Sequence, residues 1–198
     1  MHRLVLALLL AVVAAAPSTA QTVTLTFDEL PTQPVDGLTV KGVTFDFKVL
    51  GTDSLDARYG AFGPGATPLI QDPSLEGDAH GILTLDFAQP VSHLSFGVAL
   101  FTGLSLTPGC TVDLYDESLA FLGTASANMT PFMFFTEGLL SAADGPYSRA
   151  VVDFFDAGSR FALDNLTYAV AVPEPGPVAL LAGFAAAGLH LARRRRRR

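Results

Sequence analysis

Leu83-Thr84-Leu85-Asp86-Phe87-Ala88-Gln89-Pro90, followed closely by Leu94-Ser95-Phe96-Gly97-Val98-Ala99-Leu100, is the stretch whose reading decides the fold. Leu83, Leu85 and Phe87 alternate with Thr84 and Asp86, and Leu94, Phe96, Val98 and Leu100 repeat the period of two. Side chains of a strand point alternately to its two faces, so this pattern predicts half-buried strands, with Gln89-Pro90 as the turn between them.

The same period recurs on both sides. Val23, Leu25 and Phe27 alternate with Thr22, Thr24 and Thr26, and Val43, Phe45, Phe47 and Val49 alternate with Thr44, Asp46 and Lys48. Leu38 and Val40 have the opposite parity, which a bulge at Lys41-Gly42 would reconcile. Val112 and Leu114 lead through Asp116-Glu117-Ser118 into Leu119 to Gly123, an expected hairpin. Phe132 to Phe135, Arg149 to Phe155 and Phe161 to Tyr168 complete the expected strands. No stretch between residues 21 and 172 holds helical periodicity for three turns. The expectation is an all-β domain, an antiparallel two-sheet sandwich of jelly-roll or Greek-key type, with the phenylalanines as its main filler. Gly51 to Gly81 breaks the pattern with closely spaced Gly, Pro and Asp. A structureless run that long is uncommon in a compact domain, so it either carries function or hides short strands.

Both ends differ from this body. Met1-His2-Arg3, the apolar run Leu4 to Ala16 and the small residues Ser18-Thr19-Ala20 describe a secretory signal peptide over residues 1–20, cleaved after Ala20. At the other end, residues 173–198 comprise Pro173-Glu174-Pro175, the apolar run Val178 to Ala192 and six arginines, Arg193 to Arg198. The prolines predict an extended tether. The run's fifteen residues, apolar but for His190, predict a short transmembrane helix. At 1.5 Å per residue it covers only about 22 Å of a roughly 30 Å hydrocarbon core. The arginines favour the cytoplasmic side, leaving everything before them outside.

This tail resembles the PEP-CTERM sorting signal of exported proteins of Gram-negative bacteria. The resemblance is confined to residues 173–198. It implies that an exosortase, a membrane cysteine protease, acts near Pro173, Glu174 and Pro175. It also implies a route through the inner membrane, held by residues 178–192, to the cell envelope or an extracellular exopolysaccharide matrix.

One globular domain, residues 21–172, remains between the two ends. Of the chain's twelve basic and nineteen acidic residues, the body keeps five basic against eighteen acidic, a net charge of −13. A surface so acidic repels phosphate backbones, so nucleic acid is excluded as a partner. Cys110 is the only cysteine, which forbids an internal disulfide, and its place before an alternating strand predicts an inert thiol.

Little of the body reads as catalytic. Only His80 and His93 lie in it, and no metalloprotease, nucleophile-elbow, phosphate-loop or dinucleotide motif occurs. No catalytic residue is assigned. The expected function is an exported, non-catalytic structural, adhesive or glycan-binding protein. The alternative is a secreted glycan-active hydrolase or lyase using paired carboxylates in the 51–81 loop, such as Asp72 and Glu76. The chain has no Trp, so an aromatic platform for a sugar falls to tyrosine, and Tyr59 beside Arg58 is the best placed.

A structural calcium ion is expected from strand parity. Keeping Phe161, Leu163, Leu166 and Tyr168 on one side requires Asp164 and Asn165 to be consecutive outward residues, as in a bulge. Phe27 and Leu30 bracket Asp28 and Glu29 in the same way. First and last strands lying side by side would gather these four oxygen-bearing residues into a calcium site.

Overall fold

The computed structural model describes residues 21–143, 145–155 and 159–171. The expected signal peptide and the sorting tail, with Pro173, Glu174 and Pro175, lie outside the described residues. Within them the chain is all-β, and no helix is long and apolar enough to cross a membrane. Residues Gln21–Ala171 form one compact unit whose strands pair among themselves.

Thirteen strands make one hydrogen-bonded network rather than two separate sheets. They are β1 (Thr22–Leu25), β2 (Gln33–Pro34), β3 (Thr39–Val40), β4 (Val43–Val49), β5 (Thr52–Asp53), β6 (Arg58–Ala61) and β7 (Ser74–Asp78), then β8 (Gly81–Leu100), β9 (Leu106–Tyr115), β10 (Phe121–Phe132), β11 (Phe135–Ala142), β12 (Tyr147–Phe154) and β13 (Arg160–Val170). The twenty-residue β8 joins everything. Its first half lies between β4 and β12, and its second half between β11 and β13. Since β11 also pairs with β10, and β10 leads back through β9 and β12 to β8, five strands close on themselves.

The expected turn at Gln89-Pro90 is therefore absent. Leu83, Leu85, Phe87 and Val91 are buried, then Leu94, Phe96, Val98 and Leu100, so core parity changes across Ser92-His93. A register shift against β13 lies at the same place. A bulge, not a reversal, carries the parity change and lets one strand serve both halves. Pro90 has no amide to donate, yet its carbonyl accepts from Ala171 N at 2.8 Å.

Two further expectations are corrected by turn chemistry. Lys41 and Gly42 are not a bulge but the two central residues of a hairpin, both at positive φ (46° and 86°), with Val40 opposite Val43. That pair of angles is the turn whose twist suits two-residue hairpins. Phe132 to Phe135 is not a strand interior. Phe132 faces Phe135 across a tight turn whose central residues, Met133 and Phe134, are exposed. The hairpin at Asp116 is as expected, with the Asp116 carboxylate accepting from Ser118 N and Ala120 N, each at 2.8 Å. The 51–81 stretch does hide short strands, β5, β6 and β7.

One core cluster draws on every long strand. Phe161 stacks on Phe154 with centroids 3.9 Å apart, and Phe47 packs against Phe161 at 5.9 Å. Phe27, Phe45 and Tyr59 form a second aromatic group, with Tyr59 edge to face on both phenylalanines and 5.0 Å from Phe27. Arg149 on β12 holds β8 through a two-pronged ion pair to Asp86 at 2.6 and 2.9 Å.

Candidate functional site

Alternation fixes what the second half of β8 shows to the outside. With Phe96, Val98 and Leu100 in the core, Gly97 and Ala99 point away from it, and Phe101 continues their side. The register carries that face across the neighbouring strands. Arg58, Glu76, Ala162, Ala99, Glu137 and Thr130 stand opposite one another in one row running through β6, β7, β13, β8, β11 and β10. The adjoining positions are Asp78 opposite Arg160, then Phe101, whose amide donates to Arg160 O at 2.9 Å, and Phe135.

Two small residues, Ala99 and Ala162, are thus flanked by larger ones, which leaves a cleft. Its volume is about 270 Å³, and Glu76, Phe101, Phe135, Arg160 and the Gly63-Pro64 turn wall it. Phe101 is 51 % exposed and meets Phe135 edge to face at 5.4 Å. Arg160 is tied to Asp56, its Nη1 donating to both carboxylate oxygens at 2.9 and 2.7 Å. Burial raises the Glu76 carboxyl to about 7, with Asp72 pushing the same way and Arg160 opposing. Glu137 is only 6 % exposed although it belongs to this outward row, and its Oε1 has no hydrogen-bond partner among the described residues.

The segment 62–73 forms a strap along this face. Ile70 is buried against Ala99 and Ala162. Asp72 Oδ1 accepts from Gly63 N at 2.9 Å and fixes the loop internally, so this carboxylate is a structural cap. Gln71 N donates to Asp164 Oδ2 at 2.9 Å and fixes the strap to the sheet. Gly97 is required beneath it, because a Cβ there would lie 2.5 Å from the Leu69 carbonyl oxygen. Gly97→Ala is expected to lift the strap, costing about 1–3 kcal/mol as an overpacked contact does. Limited proteolysis checks this, with new cleavage within residues 62–73 and an otherwise intact domain.

Tyr59 is not the expected sugar platform. It is 0 % exposed, its ring lies in the aromatic cluster, and its hydroxyl donates to Glu29 Oε2. The physical reason is β6, a strand invisible among the glycines, which turns Tyr59 inward and Arg58 outward. Arg58 stands on the cleft's face, opposite Glu76.

The strands of the calcium expectation do lie together, and its carboxylates have protein partners in this structure. β1 and β13 lie side by side, Leu25 opposite Leu166, and a register shift falls between Asp164 and Thr167 with Asn165 at φ 54°. Asp164, however, is 2 % exposed rather than outward, and its oxygens accept from Gln71 N, Asn165 N and Asn165 Nδ2. Burial raises its pKa, and the charges of Asp28 and Glu29 add to that, which places the three carboxylates in one electrostatic neighbourhood. Glu29 is committed to Lys41 Nζ at 2.6 Å, to Thr26 N at 3.0 Å and to Tyr59. Among the described residues no group of three or more His, Cys, Asp or Glu side chains is placed to hold a metal ion. A calcium-dependent rise in melting temperature that Asp164→Ala abolishes would require Glu29 to exchange Lys41 or Tyr59 for the ion.

Cys110 is buried, and burial above all pushes its thiol up to about 12, so it is the inert core residue expected. The cleft residues Phe101, Phe135 and Arg160 carry no motif. Only the out-of-parity Phe101 after Leu100 hinted at an outward aromatic.

No family model matches the chain, and no curated protein matches it. Solved structures similar to it include a family 29 carbohydrate-binding module, at 9% identity over 77% of this chain and 90% of that chain, with a TM-score of 0.42. A mutant of such a module complexed with cellulohexaose is similar at 10% identity over 77% and 93%, with a TM-score of 0.42. The CBM22-1–GH10 modules of Clostridium thermocellum xylanase 10B, complexed with xylohexaose, are similar at 13% identity, covering 77% of this chain and 28% of that chain, with a TM-score of 0.44. Likenesses at this level go no further than an all-β fold.

Proposed function

We propose that this chain is an exported, non-catalytic protein whose domain, a sandwich of jelly-roll type, binds glycan on its outer face. The observation that carries the reading is the cleft beside the strap, where the exposed ring of Phe101 and the ring of Phe135 stand next to Glu76 and Arg160. The tail is the sorting address: an exosortase-type protease acts near Pro173-Glu174-Pro175 after transit through the inner membrane. The protein then resides in the cell envelope or the exopolysaccharide matrix. Affinity electrophoresis of residues 21–171 in gels containing the host's exopolysaccharide tests the binding, with retardation expected and unaltered mobility against it. Mass spectrometry tests the sorting: a mature form ending near Pro173 is expected, and an extracellular form intact through Arg198 would oppose it.

One observation favours a second reading, that of a glycan hydrolase. A carboxyl held at about 7 inside a cleft is a proton donor at neutral pH, which is what the Glu76 site provides. Release of reducing ends from the same polysaccharide, lost in Glu76→Gln, would establish it.

A further inference from the structure

We propose that the tip of the β10–β11 hairpin, with Leu104 beside it, is a membrane-surface anchor that enters the headgroup region of a bilayer of neutral, zwitterionic lipids. The proposal goes beyond glycan binding and uses residues that do not line the cleft.

Met133 and Phe134, the two central residues of the turn, are 77 % and 73 % exposed, and Phe132 before them is exposed as well. Exposed Leu104 joins them, because β8 ends and β9 begins at this same end of the sheet, with Leu100 opposite Thr136 and Leu106 opposite Met129. The last paired residues are Phe132 and Phe135, so the turn projects beyond the sheet as a convex apolar knob. Met133 marks that knob as kept for its side chains. It is the first central residue of the turn and stands at φ 56°, the left-handed region where hairpins of this kind favour glycine. A large apolar side chain held there against the backbone's preference, and in water, is costly on both counts unless something covers it.

What covers it follows from charge and area. Nineteen consecutive residues, Ser118 to Thr136, carry no charge, and neither do residues 101–105, in a body with eighteen acidic side chains. The polar residues flanking the knob in these two segments, Thr102, Ser105, Asn128 and Thr130, hydrogen-bond without charge. Apolar side chains with an uncharged polar collar suit the boundary between acyl chains and headgroups. The rest of the body, at −13, is repelled by anionic headgroups, so the lipids that it approaches are zwitterionic. A protein partner fits less well, because the exposed parts of the four side chains come to roughly 400 Å², about half of what one partner contributes to a stable interface. A bilayer needs no complementary surface. Only six residues separate Ala171 from the expected span at Val178 to Ala192, which keeps the domain beside a bilayer until the tail is cut.

The chain has no Trp, so Phe134→Trp in the full chain places a single fluorescent reporter at the tip. Leu55→Trp, at an exposed leucine of another loop, is the control. In phosphatidylcholine vesicles with brominated acyl chains, the tip reporter is expected to emit at shorter wavelength and to lose about half of its intensity or more, while the control changes little. Adding Met133→Ser to Phe134→Trp should remove most of that quenching at a nearly unchanged melting temperature. Replacing part of the lipid by phosphatidylglycerol should weaken it. Absence of quenching at the tip, equal quenching of the two reporters, or quenching undiminished by Met133→Ser would overturn the proposal. So would quenching that grows with phosphatidylglycerol. A wavelength shift that appears without vesicles and rises with protein concentration would overturn it too, marking the tip as a contact between copies of the chain.

Discussion

Tyr59→Ala is expected to destabilise the domain by about 3–5 kcal/mol, the usual cost of emptying a large aromatic site in a core. The ring it removes is fully buried and packs edge to face on Phe27 and Phe45. For a domain of this size each kcal/mol lowers the melting midpoint by roughly 2–4 °C, so a fall of about 10 °C is expected in thermal melts. Glycan binding by the folded fraction should be unchanged, which separates this core tyrosine from a binding residue.

Tyr59→Phe isolates the hydroxyl. Burial works to raise the Glu29 carboxyl, but hydrogen bonds from Lys41, from Tyr59 and from Thr26 N outweigh it and hold it at about 2, below its ordinary 4.5. A carboxylate whose folded pKa is depressed contributes stability that is present above its unfolded pKa and lost as pH falls through the folded one. Between pH 4.5 and about 2 the wild-type domain should therefore lose stability, and Tyr59→Phe should lose less over the same interval. Glu76 works in the opposite direction. Its pKa is raised to about 7, so its site is most favourable below 4.5 and becomes a liability as pH rises through 7. Denaturant midpoints of Glu76→Gln across that window should lack the alkaline decline of the wild type.

The second large effect is on binding. Phe101→Ala and Phe135→Ala should each weaken glycan affinity roughly tenfold, the equivalent of about 1.4 kcal/mol of ring contact. Phe101 is half exposed, so its loss should cost little stability. Titration calorimetry paired with melts decides this, because a structural role would move the melt and a binding role the affinity.

How much of this the sequence carried depends on how local each feature is. Alternation from Leu83 to Phe87 and from Leu94 to Leu100 announced both halves of β8, because the period of a strand is written in its own residues. That Pro90 continues the strand was not legible, since a proline at a bulge and a proline at a turn look alike until the partners are known. The irregularity at Asp164-Asn165 was legible from parity, and the neighbourhood of β1 and β13 from the habit of first and last strands to lie side by side. The commitment of Glu29 to Lys41 and Tyr59 was not, because it joins residues 12 and 30 positions apart. The cleft was the least legible of all. Its row is assembled from six strands scattered between Arg58 and Ala162, and no one of them is unusual alone.

The most direct measurement of the central claim is amide chemical-shift mapping of residues 21–171 titrated with the glycan that binds. The account predicts a continuous patch of shifted amides at Ala99, Phe101, Phe135, Glu137, Arg160 and Ala162, with the aromatic cluster around Tyr59 and the hairpin at Asp116 unmoved. A patch centred on β9 and β12, or saturable binding with no shift along the row from Glu76 to Glu137, would contradict it.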